Sequence, residues 1–108
     1  MKLKHIHGYT PKHQANVIFL DDNYFAFPCD KTIVIMSEKE QKFCSATNEI
    51  QSITKYKHLL YAACDSEIIT FDYTTCTKIN HYKLEGYKTK LIQSWEDMLV
   101  VLAYDEKH

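Results

Sequence analysis

His5 and His7 stand two residues apart on an alternating stretch, which sets both imidazoles on one side of a strand. A pair so placed could supply two ligands to zinc. The sequence sets no third or fourth ligand beside them, so a solvated strand face is the simpler reading. His13 and His108 fall near the two ends, and His58 and His81 are isolated. Asp21–Asp22–Asn23 is rich in oxygen donors but lacks the spaced ligands and loop glycine of a calcium-binding loop, and reads as a hairpin turn. The neighbouring carboxylates Asp21/Asp22 and Glu96/Asp97 are poor acid–base pairs, because adjacent side chains in a tight turn diverge into water. The chain has only two glycines, too few for a phosphate-cradling or dinucleotide loop, and no G-x-S-x-G. Cys29, Cys44, Cys64 and Cys76 contain no C-x-x-C spacing, which argues against a zinc knuckle or a redox motif. The expectation is a chain with no catalytic residue, no metal, no cofactor and no small-molecule substrate.

Composition narrows the classes further. The net charge is −1 over 108 residues, so there is no electrostatic footprint for nucleic acid or an acidic membrane. All 13 basic residues are lysines; the arginine fork best suited to phosphate or guanine is missing. Hydrophobic residues make up 45%, enough for a core. Nothing resembles a signal peptide, and the longest apolar run, Met98 to Tyr104, is far too short to span a bilayer as a helix. With no signal-like segment and cysteines expected as small buried side chains, an intracellular, reducing compartment fits best.

The elements that must carry these residues repeat. Asp30–Ser37 (DKTIVIMS) aligns with Asp65–Asp72 (DSEIITFD) position for position. Phe27–Pro28–Cys29, Ala62–Ala63–Cys64 and Leu102–Ala103–Tyr104 each precede an aspartate: Asp30, Asp65 and Asp105. Gly8 and Gly86 share one local frame, Ile6–His7–Gly8–Tyr9 and Leu84–Glu85–Gly86–Tyr87, 78 residues apart. Two units of about 39 residues fit the spacing of propeller blades. The three aspartates are expected in turns, their carboxylates accepting backbone N–H groups. Cys29 and Cys64 are expected as small buried side chains beside those turns.

Alternating or short apolar runs place strands at Ala15–Leu20, Tyr24–Phe27, Thr32–Met36, Lys42–Ala46, Ile50–Thr54, Leu59–Ala63, Glu67–Phe71, Lys78–Leu84, Leu91–Trp95 and Met98–Tyr104. No helical period competes. The fold class is therefore all-β, in consecutive four-stranded antiparallel units: residues 1–9 as an outer strand that closes a unit, 15–46 the first, 49–86 the second, and 89–108 the start of a third.

At Asp65–Asp72, Thr75, Leu84 and Gly86–Tyr87 the chain resembles a WD-repeat blade. Phe71–Asp72 stands where that family has Trp-Asp, Thr75–Cys76 where it has Thr-Gly, and Tyr87 where it has histidine. The resemblance implies a WD-repeat-like β-propeller, incomplete at about two and a half blades. Closed propellers need at least about four blades, so such a chain is expected to belong to a larger propeller, to pair with another chain, or to be stable inside an assembly. The resemblance further implies a non-catalytic scaffold whose partners are protein subunits of a large complex. Tyr56, Tyr61, Tyr73, Tyr82, Tyr87 and Trp95 are the interface candidates. The degenerate first units resemble those of large propeller proteins of the small-subunit processome, implying a nucleolar place in pre-rRNA processing with at most peripheral RNA contact. Substrate recognition in a ubiquitin ligase or similar regulatory complex is the alternative.

Overall fold

The computed structural model describes residues 17–21 and 23–105. Within them the chain forms strands joined by turns, and no helix. Residues 1–9, with Gly8, His5 and His7, lie outside the described residues, as do His13, Asp22 and His108.

Strands β1 (Ile18–Asp21), β2 (Tyr24–Cys29), β3 (Thr32–Met36) and β4 (Gln41–Ser45) pair in chain order as a first antiparallel sheet. Strands β5 (Ile50–Tyr56), β6 (Leu59–Cys64), β7 (Glu67–Asp72) and β8 (Thr77–Lys83) make a second sheet on the same plan. A third sheet holds β9 (Tyr87–Trp95) and β10 (Met98–Asp105). Purely sequential antiparallel pairing follows from the turns. Cys29↔Thr32, Tyr56↔Leu59, Cys64↔Glu67 and Trp95↔Met98 each close over a two-residue loop, too short for any crossover.

The sheets stack on one another. Leu60, Ala62, Cys64, Ile69 and Phe71 of the second sheet point toward Leu20, Ala26, Ile33, Ile35 and Cys44 of the first, forming one core cluster. The alternate residues Tyr61, Ala63 and Ile68 point the other way, onto Ile92 and Val101 of the third sheet. The second sheet is thus covered on both faces, which is why β6 reads LLYAAC without a polar face. Each large aliphatic or aromatic side chain buried there contributes roughly 1.5–3 kcal/mol.

This stacking corrects the expectation for Cys29. Cys64 is fully buried, but its repeat equivalent Cys29 is exposed. Cys64 lies on the face that meets the first sheet. Cys29, with Phe25 and Phe27, lies on the opposite face of β2 from Ala26, where no described sheet packs. Burial pushes the Cys64 thiol up to about 12 and raises Cys44 as well, so both stay protonated at neutral pH.

Candidate interaction surface

Asp30 and Asp65 open the tight loops after β2 and β6, with φ of 56° and 49°. Asp tolerates this left-handed region better than most side chains because its short polar group can bond locally. The bonds that matter here are made by the backbone. The Ile50 N–H donates to Asp30 O at 2.8 Å, and the Thr89 N–H donates to Asp65 O at 2.6 Å. One residue along, the Ala46 N–H donates to Lys31 O and the Leu84 N–H to Ser66 O. The Asp30 and Asp65 carbonyls therefore receive residues of the following sheet, those of Lys31 and Ser66 receive the residue just past their own sheet's outer strand, and the repeat in sequence becomes a repeated joint. Among the described residues neither carboxylate accepts a backbone N–H; Asp65 instead meets Lys88 at 3.6 Å in a half-exposed ion pair. The expected carboxylate role is corrected to a conformational one. Asp65→Gly should hold stability within about 1 kcal/mol of the parent, since glycine takes positive φ freely. Asp65→Val should lose about 1–2 kcal/mol, because a β-branched residue resists that backbone. Urea denaturation of the two variants checks the contrast.

Asp105 departs from its two equivalents. It is the last paired residue of β10, opposite Tyr87, and not a turn residue. The pairing extends so far because Tyr87 begins β9 directly after a turn in which Gly86 takes a φ of 83° and the Tyr87 N–H donates to Leu84 O.

The carboxylate that does organise a turn is Asp72. Its Oδ1 accepts the Thr74 hydroxyl at 2.6 Å and the Thr74 N–H at 3.0 Å. Ser37, its equivalent in the first sheet, accepts from the N–H groups of Lys39 and Glu40, both at 3.2 Å. The Thr74 hydroxyl, and then its N–H, hold the Asp72 carboxyl below the usual aspartate range. A folded-state value below the unfolded one means this stabilisation is complete above the unfolded value, about 3.9, and fades as pH falls through the folded value. Asp72→Asn should flatten the acid limb of the stability–pH curve, as measured by denaturant midpoints from neutral to acid pH. An unchanged limb would remove Asp72 from this role.

Between the second and third sheets runs a hydroxyl seam. Ser52 Oγ donates to Ile92 O at 3.3 Å and accepts the Ile92 N–H at 3.2 Å. Thr54 Oγ1 accepts the Ser94 N–H at 3.0 Å and donates to Ser94 Oγ, which donates to Lys55 O at 2.8 Å. At the far end the Tyr56 hydroxyl donates to Asp97 Oδ1 at 2.8 Å. Residues 52, 54 and 56 share one face of β5 by strand alternation. The sequence reading missed Ser52, Thr54 and Ser94; hydroxyls two apart inside an apolar strand are the available clue.

The aromatic candidates separate accordingly. Tyr73 is buried in the core shared by the first two sheets, and Tyr61 packs against the core of the second and third. Tyr56 is committed to the seam. Tyr73 and Tyr61 are corrected from interface to internal roles, the turn at Asp72 folding Tyr73 inward and Tyr61 lying on the covered side of β6, whereas the Tyr56 bond to Asp97 lies at the exposed end of the seam. Tyr82, Tyr87 and Trp95 are exposed. Trp95 belongs to the main apolar surface. Trp95↔Met98 and Leu91↔Leu102 are direct cross-strand pairs, and Val100 and Tyr104 follow on the same side of β10. All six are exposed, Trp95 by 62% and Leu102 by 54%, while Ile92 and Val101 face inward.

Gln51, Thr89, Lys90, Leu102, Ala103 and Tyr104 bound an open cleft of about 600 Å³ at one end of this sheet. Among the described residues, no group of three or more His, Cys, Asp or Glu is placed to hold a metal ion. No described helix is long and apolar enough to cross a membrane. In comparison with known proteins, the chain matches no family model and no curated protein.

Proposed function

We propose that this chain is a non-catalytic scaffold, built of WD-repeat-like blades of an incomplete propeller, that assembles with other protein subunits. The observation that carries the reading is the exposed apolar face of the third sheet, Leu91, Trp95, Met98, Val100, Leu102 and Tyr104. A contiguous patch of that kind is a candidate docking surface, and we infer that protein covers it, as further blades or as a separate subunit. Support for the blade reading comes from two four-stranded antiparallel sheets in sequential order, one stacked on the next. Cys76 also has a φ of 57° at the position where the WD-repeat pattern has glycine.

The test is capture of the full chain from cells, beside a Trp95→Glu/Leu102→Glu variant whose sheet content is checked by circular dichroism. The wild type should bring down a defined set of protein subunits, and the variant should lose them. Equal capture by both would remove the apolar face from the proposal. The narrower place in small-subunit processome assembly rests on the sequence resemblance, and precursor rRNA with nucleolar proteins in the captured set would support it. Cullin-type ligase subunits in that set would favour the regulatory alternative.

A further inference from the structure

Cys44 and Cys76 meet where the first sheet stacks on the second, and we propose that they form a redox-sensitive staple. A peroxide converts the two thiols to a disulfide that ties β4 to the turn between β7 and β8. Cys44 lies on β4, fully buried in the core that the two sheets share. Cys76, half-buried in that turn, packs against the same cluster. A second contact sets the same two segments side by side. Lys42, two residues before Cys44 and so on the same face of β4, donates from Nζ to Thr74 O at 3.2 Å. The thiols also act on one another: burial first, and then the Cys76 thiol, hold Cys44 above its ordinary value. Nothing in the cysteine spacing announces the pair, because the contact forms only when one sheet stacks on the other.

The other two cysteines are placed differently. Cys64 is buried in the same cluster, but its Sγ donates to Ala62 O and the charged groups beside it are Glu67 and Asp65. Cys29 is exposed, on the face of β2 opposite Ala26. Within the pair, access divides the roles. Cys76 is the thiol that a peroxide in water reaches, since Cys44 is sealed in the core and stays protonated. The Cys76 sulfur attacks the peroxide: an S–O bond forms, the O–O bond breaks, and a sulfenic acid and one water result. Cys44 then attacks the Cys76 sulfur. The S–S bond forms, the S–O bond breaks, and hydroxide leaves with the Cys44 proton as a second water. The thiols give up two electrons in all, and one peroxide is reduced. Cys76 also has a φ of 57°, which glycine adopts without strain, so a glycine there removes the thiol and leaves the turn its shape.

The staple does not depend on the scaffold role, and its test uses the purified full chain. Reduced protein is treated with hydrogen peroxide, quenched, unfolded in the presence of an alkylating agent, digested and read by mass spectrometry. The peptides carrying Cys44 and Cys76 should appear joined and two hydrogens lighter than their sum. The urea midpoint should rise on oxidation, because a cross-link between distant segments restricts the unfolded chain, and should return on reduction with dithiothreitol. Cys76→Gly should keep the wild-type circular dichroism and lose both the joined peptide and the rise in midpoint. Cys29→Ser should keep both. Recovery of Cys44 and Cys76 as alkylated thiols, Cys76 carried to sulfinic acid without a partner, or Cys29 or Cys64 joined in their place would overturn the proposal. A joined pair that lowers the midpoint would overturn it too, since the bond would then pull the two sheets apart.

Discussion

Phe71→Ala lowers stability by about 3–5 kcal/mol, the range for truncating a large buried aromatic and leaving its cavity. Phe71 is 1% exposed and sits between Ile69 and Tyr73 in the cluster that joins the first two sheets. Single domains are stable by only about 5–15 kcal/mol, so this one change should remove a large share of the total. Phe43→Ala is the control. Phe43 lies on the other side of the first sheet and is 56% exposed, so its loss should cost less than about 1 kcal/mol. Urea midpoints compared at constant slope make the measurement. Equal losses from the two variants would mean that the stacking of the first sheet on the second has been misassigned.

The second large effect is regional. Thr54→Val keeps the side-chain shape but takes away the hydroxyl that accepts the Ser94 N–H and donates to Ser94 Oγ. A partly buried N–H left without a partner costs about 1–3 kcal/mol. Adding Ser52→Ala removes the two contacts with the Ile92 backbone as well. The two losses share strands β5 and β9, so their sum need not be additive. The apolar contact behind the seam is smaller than the core between the first two sheets: Ala63, Ile68 and Ile92, with Tyr61, Leu84 and Val101 packed against them. The third sheet should therefore loosen before the rest. Hydrogen exchange should rise across residues 87–105 while β6 and β7 remain protected. A uniform rise along the chain would show instead that the three sheets open as one unit.

Much of this architecture is legible in the residues. Strand positions follow from alternation and from turns at Asp30, Asp65 and Glu96–Asp97, because period two and tight-loop chemistry are local properties. β6 announces burial on both faces by having almost no polar side. The candidate surface is less legible. Tyr56, Tyr61, Tyr73, Tyr82, Tyr87 and Trp95 look alike as a list, yet one holds a seam, two pack internally and three are exposed. Asp72 and Thr74 could have been found from their spacing, since an aspartate two residues before a threonine is a local turn pattern. Ser52, Thr54 and Ser94 could not be matched without knowing that β5 and β9 lie side by side.

By itself the order of residues determined ten extended segments, their sequential pairing and the tight corners at Asp30 and Asp65 between the second and third strands of the first two sheets, since each depends on neighbours within a few positions. Only the tertiary structure decided which face of each sheet is covered. It buried Cys64 and exposed Cys29 from equivalent positions, and it turned the corner aspartates into backbone joints. The reason is that burial of a strand face depends on whether another sheet stacks there, and that contact joins residues about 40 positions apart.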